Sequence, residues 1–339
     1  MLSFLPGPVK GTLSFLCYLI NTMVMCTIIF MVALVKFTVP LALCRVLCDK
    51  WLIAISTAWI SVNMFNARIF TRIEWDIRGM DALEMQEWYM VLSNHQSWMD
   101  ILVLQTVFNR RVPFLKFFLK KELIWVPFLG LAWWALDFPF MRRYTRQFLA
   151  KNPHLKGKDL ESTRKACEKF KALPISVMNF VEGTRFTPAK HDAQNSPYQH
   201  LLKPRAGGMA FVLGAMGENI NAIVDVTIVY PQRADNFWGF ISGRVEKIVV
   251  DVETMPVSKE MVGDFFNDAP FRDRFCHWLN GLWQQKDAKI QSILDQSILD
   301  QVNQGEVAVS HEPYLNENAH DTCQDKMGIH DELKVVSRQ

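Results

Sequence analysis

WYMVLSNHQSWMD, residues 88–100, joins an apolar run to a polar turn. The run from Trp88 to Leu92 reads as a buried strand, short and continuously apolar. It breaks at Ser93-Asn94, and His95 and Asp100 follow with four residues between them. A histidine takes a proton from an alcohol near neutral pH, and a carboxylate on its second ring nitrogen fixes tautomer and orientation. Five positions is poor spacing for one face of a straight helix. The pair meets if His95 lies in the turn and Asp100 in the first turn of a following helix.

Downstream of Gly79, short strand-like runs alternate with helical segments, the pattern of an α/β domain with a mixed sheet flanked by helices. Strands are predicted over 89–92, 175–181, 222–230 and 245–252. Between them, Leu160, Cys167 and Phe170 fall near one helical face, with Asp159 placed to cap and Pro174 to stop the helix. Residues 209–216 read as a buried helix. Residues 258–286 contain a helical stretch with Phe271, Phe275, Trp278, Leu279 and Leu282 on one side. The sequence QSILD then occurs twice in tandem over 291–300, and the chain turns polar to Gln339. That tail, with few large apolar residues, reads as disordered. Its His311, His320, Cys323 and His330 are too irregularly spaced for a metal site.

Upstream, residues 12–35 carry no charged side chain and are bracketed by Lys10 and Lys36. About 20 apolar residues suffice to cross a bilayer as a helix. The run is too long for the core of a signal peptide, and no small-residue cleavage pattern closes it. Residues 37–47 are apolar but broken by Pro40 and Arg45. Residues 51–65 form a second apolar stretch, rich in Trp and Asn, suited to a membrane-embedded or an interfacial helix. Lys36, Arg45, Lys50, Arg68, Arg72 and Arg78 all follow the first segment, so the excess of positive charge puts the bulk of the chain in the cytoplasm. The expected organisation is a membrane-anchoring segment over 1–78, a catalytic domain over 79–290 and a polar tail over 291–339.

Composition narrows the classes. The 339 residues are 50% hydrophobic and 21% charged, high and low for a purely soluble protein. A net charge of +3 gives no argument for nucleic acid. Seven cysteines lie scattered without CxxC pairs, which suggests reduced thiols rather than zinc or a disulfide framework. No GxGxxG, GxSxG or HExxH stands anywhere in the chain, so dinucleotide binding, serine hydrolysis and zinc proteolysis are poor candidates.

A second chemical block follows the strand over 175–181. In FVEGTRF, residues 180–186, Gly183 permits a tight turn, Thr184 follows it, and Arg185 offers a planar fork suited to phosphate. Glu182 is placed to order that arginine or to bond a substrate hydroxyl. Alone, this would be a surface turn with a local ion pair. Between the blocks, Lys116, Lys120, Lys121, Arg142, Arg143 and Arg146 interleave with Phe, Leu and Trp. That pattern suits either a phosphate-binding surface or basic residues snorkelling at a lipid interface.

NHQSWMD resembles the NHxxxxD block of the glycerolipid acyltransferases, the family that includes the lysophosphatidic acid acyltransferases. EGTR, in the right order about ninety residues on, resembles that family's phosphate-binding block. FPFMRR is similar to its GxxFIxR block, with Arg143 at the arginine position and Asp137 where the family commonly has Gly. IVDVTIVYP, residues 223–231, resembles its last motif, expected to line the acyl or glycerol pocket. Lys203 and Arg205, before Gly207-Gly208, match its basic segment. The resemblance covers roughly residues 1–283 and looks closest to the lysophosphatidic acid and lysocardiolipin branch. The short membrane region suggests a bacterial inner-membrane member with its catalytic domain facing the cytoplasm.

The resemblance implies a membrane-bound enzyme in which His95, oriented by Asp100, deprotonates the sn-2 hydroxyl of a 1-acylglycerol phospholipid. The alkoxide-like oxygen attacks the thioester of acyl-CoA or acyl carrier protein, with backbone donors near the turn holding the oxyanion. Glu182, Gly183, Thr184 and Arg185 would form the phosphate site, with Lys120, Lys121, Arg143, Lys203 and Arg205 as further contacts. No metal or other cofactor is implied, and the partners are membrane lipid, lysophospholipid and acyl donor. Remodelling of another lysophospholipid, or a lipid-binding protein that has kept the fold, are the alternatives. A binding module has no need of the base.

Overall fold

The computed structural model describes residues 2, 4–141, 168, 173–232 and 236–303. Residues 1–297 form one compact unit, and a second begins at Ile298, of which the described residues are helical. The chain opens with two long helices, α1 (Gly7–Thr38) and α2 (Ala42–Phe70). Pro40 lies in the break between them, since it removes an N–H donor and holds its predecessor extended. The two stretches read separately at 37–47 and 51–65 are therefore one helix from Ala42 onward. Asn63 and Asn66 explain the polar residues in it. Asn21 of α1 donates to the Asn63 side chain at 2.8 Å, and Asn66 donates to the Ser14 carbonyl at 3.1 Å. Among the described residues α1 alone is long and apolar enough to cross a membrane.

A six-stranded sheet follows, in the order β1-β8-β7-β2-β6-β3. Its strands are β1 (Glu74–Arg78), β2 (Tyr89–Ser93), β3 (Leu115–Phe117), β6 (Ser176–Phe180), β7 (Ala222–Val229) and β8 (Lys247–Pro256). Among the described strands only β7 and β8 pair antiparallel. A two-stranded pair, β4 (Leu119–Lys120) and β5 (Phe140–Met141), lies apart from it. Residues 74–78, at the end of the segment expected to anchor the chain, form β1 and pair with β8 inside the main sheet.

Both faces of β2 are covered, which is why its sequence is a continuous apolar run rather than an alternation. Tyr89 and Val91 pack with α3 (Met99–Phe108) on one side. Met90 and Leu92 pack with α6 (Ala206–Met216) and α8 (Ala269–Asn303) on the other. Three short α-helices are also described, α4 (Leu129–Ala135), α5 (Pro188–Gln194) and α7 (Phe237–Ile241), along with 3-10 turns at Lys121–Trp125 and Lys259–Met261. The polar tail expected from residue 291 is helix through Asn303. The QSILD tandem continues α8, with Ile290, Ile293 and Ser297 buried along one stripe. Residues 304–339, including His311, His320, Cys323 and His330, lie outside the described residues, as do Asp159, Leu160, Cys167 and Phe170.

An ionic junction ties the helical hairpin to the sheet domain. Lys36, near the end of α1, meets Asp49 of α2 at 2.7 Å and Asp137, just after α4, at 2.8 Å. Asp137 has φ +56°, a left-handed conformation that Gly takes freely and Asp tolerates better than most side chains. This accounts for Asp at a position where the resemblance leads one to expect Gly: the backbone shape is kept and a carboxylate is added. Lys36→Met should therefore lower stability by about 1.5–3 kcal/mol, since it removes the ammonium that both carboxylates meet. Asp137→Gly should cost less, because Lys36 keeps Asp49. Thermal unfolding in detergent would rank the two, and a larger loss for Asp137→Gly would contradict this role for Lys36.

Candidate active site

The parallel register sets Ser93 of β2 beside Phe180 of β6 and Val226 of β7. The loops leaving β2 and β6 thus emerge at the same edge of the sheet, the carboxyl end where open α/β sheets bind ligands. Asn94 fixes the exit of β2. Its side chain donates to the Ile228 carbonyl and accepts from the Ile228 N–H, both at 2.9 Å.

His95 sits in the turn and Asp100 in the first turn of α3, as the spacing requires. The ring donates from Nδ1 to Asp100 Oδ2 at 2.8 Å, which leaves Nε2 its lone pair for a proton. Asp100 is fully buried, whereas the His95 side chain is 14% exposed and so within reach of a substrate. The backbone N–H groups of Gln96 and Ser97 also donate to Asp100 Oδ2, at 2.7 and 2.9 Å. Tyr230 donates its hydroxyl to Oδ1 at 2.7 Å. The ring of His95 stacks on Phe180, centroids 4.0 Å apart and planes 15° from parallel.

The second loop is strapped to the first. Glu182 is buried, and its two oxygens accept from the N–H of His95 at 2.8 Å and of Leu202 at 2.9 Å. The His95 carbonyl in turn accepts from the Phe186 N–H at 2.7 Å. Burial pushes the Glu182 carboxyl up to about 7, against the opposing pull of those two N–H donors. Glu182, grouped on sequence with the phosphate residues, therefore faces inward and ties the two loops together. Its partners are backbone N–H groups rather than Arg185. The N–H groups of His95, Gln96 and Ser97 are all engaged by carboxylates, so the turn itself does not offer them to an oxyanion.

Gly183 takes φ +71°, and the chain turns there toward the surface. The Arg185 guanidinium carbon lies over the Trp98 ring, 4.6 Å from its centroid, a cation–π contact that steadies the side chain. Lys190, which sequence reasoning passes over, donates to Thr184 Oγ1 and to the Arg185 carbonyl, both at 2.9 Å. Lys203 and Arg205 are exposed on the segment that returns past this loop, where the Arg205 N–H bonds the Val181 carbonyl at 2.8 Å. Lys120 and Lys121 are also exposed, at the end of β4 and the start of a single 3-10 turn. Among the described residues no hydrogen bond or ion pair joins either to the His95 turn. Arg143, with Arg142 and Arg146, lies outside the described residues. The last motif does more than shape a pocket, since Asn94 grips its Ile228 and Tyr230 reaches Asp100.

The fold and these residues define a class: an α/β sheet domain with a histidine paired to a buried aspartate at one strand end and an arginine set over a tryptophan ring on the neighbouring loop. Residues 74–231 match the model of the family described as Acyltransferase. It is similar to the human 1-acyl-sn-glycerol-3-phosphate acyltransferase delta, 27% identical over 181 residues, which are 50% of this chain and 43% of that protein. The human gamma form is 25% identical over 226 residues, 62% of this chain and 54% of the relative. The chain thus spans about half the length of the curated relatives it matches. In structure it resembles the crystal structure of the 1-acyl-sn-glycerophosphate (LPA) acyltransferase PlsC from Thermotoga maritima. The TM-score is 0.51 and the identity 15%, over 84% of this chain and 98% of that one.

Proposed function

We propose that this chain is a membrane-bound O-acyltransferase that moves an acyl group from acyl-CoA or acyl carrier protein to the sn-2 hydroxyl of 1-acylglycerol-3-phosphate, giving phosphatidic acid. The observation that carries this is the His95–Asp100 pair, with Nδ1 committed to a buried carboxylate and the histidine side chain itself partly exposed. His95 Nε2 takes the hydroxyl proton as the oxygen attacks the thioester carbonyl. The C–S bond then breaks, and the imidazolium returns its proton to the departing thiolate. Proton transfer and thioester cleavage call for no metal and no redox cofactor. The relatives' names point to the same acceptor, and the exposed apolar side chains of α1, such as Ile20, Met31 and Leu34, suit a lipid environment. The catalytic face lies on the cytoplasmic side, at the inner membrane of a bacterial cell.

The acceptor's phosphate is assigned to Arg185. Trp98 steadies a planar guanidinium that can bond two phosphate oxygens at once, a geometry a lysine cannot reproduce. Arg185→Ala should raise the KM for the lysolipid about 10- to 100-fold, the size of a charge-assisted hydrogen bond of about 1.5–3 kcal/mol. The KM for the acyl donor should move far less, and Arg185→Lys should be impaired rather than silent. A selective rise in the donor KM would move the phosphate to Lys120, Lys121 or Arg143.

Mass spectrometry of products from the purified protein, given a panel of lysolipids and acyl donors, tests the whole reading. Phosphatidic acid is the expected product. Preferential acylation of another lysophospholipid would make the protein a remodelling enzyme, and binding without transfer would make it a lipid-binding protein.

A further inference from the structure

Resting on the reading of His95 as the base, the geometry assigns Tyr230 as a positioning residue that holds the Asp100 carboxylate, and through it the His95 ring, in place. The distribution of donors on Asp100 argues for it. His95 Nδ1 and the N–H groups of Gln96 and Ser97 all meet Oδ2. Among the described residues Tyr230 alone donates to Oδ1. Three bonds to one oxygen fix its position but leave the carboxylate free to pivot about it. The fourth bond, from the opposite side, fixes the plane.

Tyr230 is itself held. It stands two residues beyond Ile228, whose N–H and carbonyl are both gripped by Asn94, the residue that precedes His95. The turn that carries the base and the strand end that carries the hydroxyl are therefore joined twice, once through Asn94 and once through Asp100. Tyr230 is 4% exposed, so no water replaces its hydroxyl without repacking. Burial, with the Asp100 charge beside it, raises its phenol well above the ordinary value, and it remains a donor throughout the neutral range. A buried carboxylate with an unsatisfied oxygen is costly and drifts toward whatever donor is near.

The test is steady-state kinetics of full-length Tyr230→Phe, Asp100→Asn and the double variant, with lysophosphatidate and acyl-CoA, alongside His95→Ala. Tyr230→Phe should lower kcat about ten-fold, the loss of roughly one hydrogen bond to a charged group, with both KM values nearly unchanged. In the Asp100→Asn background the hydroxyl no longer meets a carboxylate, so adding Tyr230→Phe should cost little more. That comparison stays informative if the single variant is unstable, because the amide removes the stranded charge. An unchanged kcat, a loss expressed only in KM, or losses that multiply in the double variant would each overturn the assignment. If His95→Ala is inactive while Tyr230→Phe matches wild type, this inference fails and the base survives. If His95→Ala is active, the underlying reading fails instead.

Discussion

His95→Ala is expected to lower kcat about 10³-fold, within the range that a positioned general base contributes, while folding and membrane association remain. The ring makes one buried polar contact, to Asp100, and one stacking contact, to Phe180, and its side chain is partly exposed. Its backbone bonds to Glu182 and Phe186 survive the substitution, so the two loops stay strapped. Asp100→Asn should cost less than His95→Ala, since an amide of the same shape can still accept from His95 Nδ1 but loses the charge that stabilises the imidazolium. Initial rates at saturating lysolipid and donor would measure both. A His95→Ala protein within a few-fold of wild type would remove the base from the mechanism.

The second large effect is on stability and lies away from the chemistry. Lys286 of α8 is fully buried and meets Asp225 of β7 at 2.9 Å. Its ammonium also donates to the Val226 carbonyl at 2.7 Å and to Thr227 Oγ1 at 3.1 Å. Burial lowers the lysine's pKa and raises the aspartate's, and their mutual attraction opposes both shifts. Lys286→Met should destabilise by about 3–5 kcal/mol, because it leaves Asp225 as an uncompensated buried charge. Lys286→Met with Asp225→Leu should recover much of that loss, since an apolar pair needs no compensation. Denaturant unfolding of both variants in detergent checks this. A single variant as stable as wild type, or a double variant no better than the single, would contradict it.

What is legible in the chain follows from burial and sequence separation. The interior strands β2, β6 and β7 show in the sequence because both faces are covered. Strand β1, Glu74-Trp-Asp-Ile-Arg78, does not: it lies at the edge of the sheet, half-buried and half charged, and carries no strand-like run. The length of α8 escapes sequence reasoning because its second half has few apolar residues. Two of them, Ile290 and Ile293, are spaced to keep a single stripe buried, while Ile298 and Leu299 lie exposed. His95, Asp100 and the EGTR loop can be read because each block is local. Asn94–Ile228, Asp100–Tyr230 and Asp225–Lys286 cannot, since the partners stand 134, 130 and 61 positions apart, the last being 286 minus 225. Glu182 reads as outward-facing because Gly183, Thr184 and Arg185, which follow it, are partly exposed. Only the fold shows that its carboxylate is filled by N–H groups of two other segments.

The measurement that bears most directly on His95 as the base of a direct transfer is mass spectrometry of the purified protein and its lipids, after mixing with acyl-CoA alone and with acyl-CoA plus lysophosphatidate. Direct transfer predicts an unchanged protein mass with donor alone, phosphatidate only when both substrates are present, and none above background from His95→Ala. An acyl group found on the protein before acceptor is added, and passed on when it is, would contradict it.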